Sequence, residues 1–161
     1  IFGTRQDYKG QILFNGQDTR ALSVEQWCEI RTKKISLLPQ DMALFPELTV
    51  GQNIDLKNNR THHKTRQEIM DCLERVGIAE KYNVLASQLS IGQMQRVALV
   101  RALCQPFDFI FLDEPVSHLD ARNNQIVAQM VSEEAQRQGA GIIATSVGNH
   151  LMLSNAEFVA L

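Results

Sequence analysis

The run Phe107-Asp-Phe-Ile-Phe-Leu-Asp-Glu-Pro115 decides the reading of the fold. From Phe107 to Leu112 only Asp108 is polar, which is the composition of a central parallel strand covered on both faces. The strand finishes in two adjacent carboxylates, Asp113 and Glu114. In open α/β sheets that carboxyl end is where ligands bind. Consecutive strand residues point to opposite sides, so the two carboxylates are expected to take different jobs. One can hold Mg²⁺ through its water shell, and the other can orient or deprotonate an attacking water. A solvated strand end is the competing reading of the same pair.

Upstream, Leu89-Ser-Ile-Gly-Gln93 opens a long helix with a capping box, Ser90 to Gln93, and an apolar stripe of Val97, Val100 and Cys104 before Pro106. Unpaired N–H groups and the helix dipole make such a start attractive to anions. Gly92 would let backbone come close to a ligand. Read alone, the motif is a helix cap and nothing more.

The remaining segments alternate. Gln11 to Phe14 reads as a strand entering an Asn15-Gly16 turn. Ser23-Val-Glu-Gln26 caps a helix from Val24 to about Thr32. Ile35 to Leu38 is a buried strand whose end, after Pro39, delivers Gln40 into a loop. Asp41 to Asn53, with Pro46 and Gly51, reads as an extended surface loop. Thr65-Arg-Gln-Glu68 opens a helix with Ile69, Leu73 and Val76 on one face and Gly77 as its stop, within a helical insertion from about Ile54 to Ser87. Ile126, Val127, Met130 and Val131 mark a further amphipathic helix closed by Gly139, and Gly141 to Thr145 is the strand after it. This alternation predicts an α/β domain with a mostly parallel sheet and an inserted helical subdomain.

The composition narrows the partners. With 161 residues and 44% apolar content the chain suits one domain with its own core. Sixteen basic residues against 18 acidic ones give no broad positive field, so no nucleic acid is expected. No apolar run approaches the roughly 20 residues that cross a bilayer, and no signal pattern opens the chain. Cys28, Cys72 and Cys104 fit reduced core thiols of a cytosolic protein. His62 and His63, beside Arg60 and Lys64, read as a solvated face, and Trp27 as packing. Met42, Phe45 and Leu48 fit either loop anchors or a docking patch.

The two motifs together, about 20 residues apart, resemble the ABC (ATP-binding cassette) ATPase family, whose Leu-Ser-Gly-Gly-Gln signature precedes a Walker B strand ending in Asp-Glu. Gln88 to Leu103 is similar to the signature helix, Ser117-His-Leu-Asp120 to the D-loop, Pro39-Gln40-Asp41 to the Q-loop, and Gly10 to Gly16 to the strand-turn after the P-loop helix. The resemblance covers essentially the whole chain. It implies a P-loop NTPase-like sheet, divided as 1–53 partial catalytic core with the Q-loop, 54–104 helical subdomain and signature helix, and 105–161 core with Walker B, D-loop and switch region. It implies ATP and Mg²⁺ as ligands, Asp113 as the magnesium residue, Glu114 as general base, and Gln40 as a sensor of Mg²⁺ and the attacking water. Ser90, Ile91, Gly92 and Gln93 would meet the γ-phosphate held by a second, head-to-tail nucleotide-binding domain, with Asp120 at that interface. Transmembrane permease subunits would meet the helical insertion and the loop after Gln40, which puts the protein in the cytoplasm at the inner face of the membrane.

The chain departs from the pattern in three places. No Gly-x-x-x-x-Gly-Lys-Ser/Thr loop is present, although that loop cradles phosphates and ligates Mg²⁺. Ile1-Phe-Gly3 resembles the tail of the helix that follows the loop, so the chain is expected to be cut at both ends, to bind ATP weakly by itself, and to expose an edge beside the Asp113 strand. Ser146 stands where the family has its switch histidine, and His150, four residues later, is not expected to substitute for it. Slower hydrolysis follows. Ile91 replaces the first signature glycine and adds a stiff, β-branched side chain. A non-hydrolysing regulatory module, or a soluble ABC protein without membrane partners, are the alternatives.

Overall fold

The computed structural model describes residues 8–154 and 156–159. The helix tail expected at Ile1 to Gly3 therefore lies outside the described residues. Strands β1 (Leu13–Phe14) and β2 (Gln17–Asp18) pair as an antiparallel hairpin. Its turn residues, Asn15 at φ 50° and Gly16 at φ 82°, are both left-handed, as a two-residue hairpin turn of this kind demands. Helix α1 (Val24–Lys33) begins at the Ser23 capping box, with both reciprocal bonds formed.

Strands β3 (Ile35–Leu38), β4 (Phe109–Asp113) and β5 (Gly141–Thr145) form a three-stranded, all-parallel sheet in the order β3-β4-β5. Between β3 and β4 lie α2 (Val50–Asn58), α3 (Arg66–Arg75) and α4 (Ile91–Ala102), and α5 (Ala121–Gln138) crosses from β4 to β5. The main core joins Leu38, Ile110 and Leu112 of the sheet to Ile54, Leu73, Val97, Val100 and Val131 of the helices. A smaller cluster of Trp27, Ile30 and Ile35 receives Phe14, Leu22 and Phe111, so Trp27 is a packing residue. Among the described residues no helix is long and apolar enough to cross a membrane.

Several expectations need correction. Strand β4 alternates instead of being buried on both faces: Ile110 and Leu112 are buried, while Phe109 is 44% exposed. The edge beside Asp113 is not open, because β4 pairs with β3 on one side and β5 on the other; among the described residues the unpaired edges belong to β3 and β5. Helix α2 starts at Val50, inside the predicted loop, behind a fourth capping box made by Thr49 and Gln52. Gly51 disguised it. The ring of Tyr82 lies so close that a Cβ on Gly51 would sit 2.1 Å from ring carbons, so this first-turn glycine serves packing and not a turn.

Cys28 is exposed, and only Cys104 is a buried core thiol; desolvation pushes Cys104 up to about 12. His63 is not solvated. Its Nε2 lies 2.9 Å from Glu134 Oε1, and Lys64, 7% exposed, donates to Glu134 Oε2 at 2.7 Å. Arg137 and Gln138 donate to the same Oε1 at 2.6 Å. Burial by itself would raise the Glu134 carboxyl, but bonds from His63, Lys64 and Arg137 outweigh it and hold the group well below the usual carboxylate range.

The loop after Gln40 is anchored. Met42 and Ala43 adopt left-handed φ values of 60° and 45°, and the buried Arg101 of α4 donates to both carbonyls, at 2.7 Å for Ala43. Buried Asn53 of α2 accepts from Phe45 N–H at 2.8 Å and donates to the carbonyls of Phe45, Leu48 and Thr49. Met42 and Leu44 pack on the core, while Phe45 stays exposed.

Candidate functional site

The three parallel strands end on the same side of the sheet, and the residues just beyond them line one open cleft of about 1030 Å³. Gln40 enters after β3, Asp113 and Glu114 at the tip of β4, and Ser146 after β5. Asp113 Oδ1 accepts the Thr145 hydroxyl at 2.7 Å. Glu114 breaks the strand alternation, because β4 stops at Asp113 and Glu114 turns to φ 51°. The expected opposition of the two side chains therefore fails, and both face one cleft. A left-handed glutamate is strained, and its neighbours hold it there. Its N–H donates to Thr145 O at 3.0 Å, its carbonyl accepts Gln95 Nε2 at 2.7 Å, and its Oε1 accepts the N–H of Val147.

Beyond the cleft, Ser90 caps α4: its hydroxyl accepts from Gln93 N–H at 3.3 Å, and Gln93 Oε1 accepts from Ser90 N–H at 2.9 Å. Ile91 is 51% exposed. At Gly92 what comes close is protein: a Cβ there would stand 3.0 Å from the carbonyl of His118. Asp120 caps α5, accepting from Asn123 N–H at 2.8 Å, a bond that lowers its carboxyl from the ordinary value. Ser90, Ile91, Gly92, Gln93 and Asp120 thus share a surface near the His118 turn and are not among the residues lining the cleft.

Side chains that no motif or spacing singles out tie these parts together. Gln95, buried in α4, donates to Glu114 O and to Ser117 Oγ and accepts from His118 N–H. Asn124, fully buried in α5, and Asn149 join the loop after β5 to the turn after β4, with Asn149 donating to Val116 O at 3.0 Å. A glutamine in a helix and an asparagine in a loop carry no spacing signal; only contacts with residues 19 or more positions away give them a role.

Among the described residues no group of three or more His, Cys, Asp or Glu side chains is placed to hold a metal. Asp113 and Gln40 offer hard oxygen donors to an open cleft, which suits Mg²⁺, an ion that keeps waters and completes its shell with phosphate oxygens.

Residues 1–117 match the profile of the family described as ABC transporter. The chain is 30% identical over 150 residues to the lipoprotein-releasing system ATP-binding protein LolD of Shewanella denitrificans, covering 91% of this chain and 64% of that one. It is 30% identical to the ABC transporter ATP-binding protein YtrE of Bacillus subtilis, covering 86% and 62%. The chain thus spans about three-fifths of the length of these relatives. Among solved structures it resembles the ATP-binding cassette MJ0796, dimeric and bound to ADP and Pi, with TM-score 0.76 and 25% identity over 90% of this chain and 66% of that one.

Proposed function

The chain belongs to the ABC transporter family, and from that premise we propose that it is part of an ATP-hydrolysing subunit that drives transport through separate membrane subunits. The observation that carries this reading is the meeting of Gln40, Asp113, Glu114 and Ser146 in one cleft at the ends of three parallel strands. A carboxylate pair, an amide and a hydroxyl are the groups that phosphoryl transfer to water needs for holding Mg²⁺, positioning water and meeting the phosphate.

In this proposal Asp113, oriented by Thr145, and Gln40 hold Mg²⁺, which supplies charge neutralisation at the transferred phosphoryl group when bound. Glu114 is the general base: Val147 fixes Oε1, and Oε2 makes no hydrogen bond among the described residues. Ser146 contacts the terminal phosphate. Ser90, Ile91, Gly92, Gln93 and Asp120 act on the ATP of a second nucleotide-binding domain, a role supported by their placement outside the cleft and by the dimeric state named for MJ0796. The helical insertion before Ser90, from about Ile54 to Ser87, and the loop after Gln40 form the surface for permease subunits at the inner face of the membrane. LolD and YtrE are about equally similar to this chain, so their shared element is the ATP-binding subunit and not a cargo.

ATP turnover by the complete protein tests the enzyme, and co-purification with integral membrane subunits tests the transporter. Ser146 favours one second reading, a nucleotide-binding regulatory module that does not hydrolyse. Tight ATP binding with no turnover above background would select it.

A further inference from the structure

The loop after β5 does not run away from the cleft. Gly148, at φ 90°, lets it turn back, and buried Asn124 fastens the return: Asn124 Nδ2 donates to His150 O at 2.8 Å and its Oδ1 accepts the Met152 N–H at 3.1 Å. Asn149 adds a bond to Val116 O at 3.0 Å. The result is that His150 Nδ1 lies 2.6 Å from Ser146 Oγ, and both residues line the same cleft as Asp113 and Glu114. The imidazole is also braced edge-on by Phe158, with ring centroids 5.6 Å apart.

A serine hydroxyl has one proton and rotates to suit its partners. If His150 Nδ1 is bare, the hydroxyl proton points at the imidazole and a lone pair faces the cleft, which repels an anion. If Nδ1 carries the proton, it donates to Ser146 Oγ, and the hydroxyl proton is left to point into the cleft. Hydrogen bonds arranged in series polarise one another. We propose that His150 is a positioning residue for ATP hydrolysis: its Nδ1–H orients and polarises Ser146, whose hydroxyl donates to the terminal phosphate of ATP. Ser146 and His150 together thus do the work of one histidine. This rests on the ATPase reading above.

The test uses the complete protein and a double-mutant cycle, which isolates coupling between two side chains. His150→Phe keeps a ring against Phe158 and removes Nδ1; Ser146→Ala removes the phosphate donor. Each is expected to lower kcat about tenfold with little change in KM, and the double variant is expected to match either single one. Ser146→His in the His150→Phe background is expected to restore turnover to within about threefold of wild type, because a histidine at 146 needs no relay. A His150→Phe loss that persists undiminished in the Ser146→Ala background would overturn the proposal, since it assigns His150 a role that bypasses Ser146. A second measurement does not rely on turnover. In ¹⁵N-histidine protein, the non-hydrolysable analogue AMP-PNP is expected to shift the His150 ring toward its Nδ1–H form, and Ser146→Ala is expected to abolish that shift; a shift retained in Ser146→Ala overturns the relay. If wild type neither binds AMP-PNP nor turns over ATP, the ATPase reading itself falls, and the relay with it.

Discussion

The carboxylate of Glu114 accepts the backbone N–H of Val147, which ties the residue after the Asp113 strand to the residue after Ser146. With Glu114 N–H on Thr145 O and Asn149 on Val116 O, the two loops at the ends of β4 and β5 are one hydrogen-bonded unit. Movement of either loop therefore moves Glu114 and Ser146, the proposed general base and phosphate contact, together.

Gly92 presses on the turn that leads to Asp120. Gly92→Ala places a methyl group 3.0 Å from the His118 carbonyl, a backbone atom that yields only if the turn shifts. The expected result is a loss of about 1–2 kcal/mol in denaturant unfolding.

Arg101 holds two left-handed residues by their carbonyls. Arg101→Met keeps much of the stem and removes both bonds, leaving two carbonyls and a strained turn unsupported. A loss of about 2–4 kcal/mol is expected. Enhanced proteolysis between Asp41 and Leu48 would locate the effect.

Glu134 neutralises buried Lys64, and its carboxyl lies below the ordinary range in the fold. A lowered folded value means that the stabilisation is fully present above the unfolded carboxyl range and is lost as pH falls from there through the lower folded value. Glu134→Gln is expected to lose about 3 kcal/mol at pH 7 by stranding the ammonium group. The difference from wild type should shrink as the pH is lowered below about 4.

Lys57 behaves oppositely. Desolvation, with Arg101 as the lesser cause, brings it down from 10.5 to about 8, so its charged form is disfavoured in the fold. That penalty is complete below about pH 8 and disappears as pH rises toward 10.5. Lys57→Met is expected to raise stability by about 1–2 kcal/mol at pH 7, a gain that vanishes near pH 10.

Much of this architecture is written in short local patterns. Ser23 with Gln26, Thr65 with Glu68, and Ser90 with Gln93 each mark a helix start that forms both reciprocal bonds. Thr49 with Gln52 carries the same signature, yet Gly51 masks it, because the reason for that glycine is a tyrosine 31 positions later. The carboxylates Asp113 and Glu114 stand out at a strand end, but the turn of Glu114 to φ 51° is set by Gln95, Thr145 and Val147. The Lys64–Glu134 pair joins residues 70 apart, and no period or spacing announces it. His150 is the sharpest case: four residues from Ser146 in sequence, it reaches the hydroxyl only because Asn124 folds the loop back.

The most direct measurement is ATP turnover by the complete protein beside its Glu114→Gln variant, with ATP affinity measured for both. The variant is expected to bind ATP at least as well as wild type and to hydrolyse it at least about 100-fold more slowly, the size of effect a general base contributes. Equal turnover by the two proteins would contradict the assignment of Glu114 as that base.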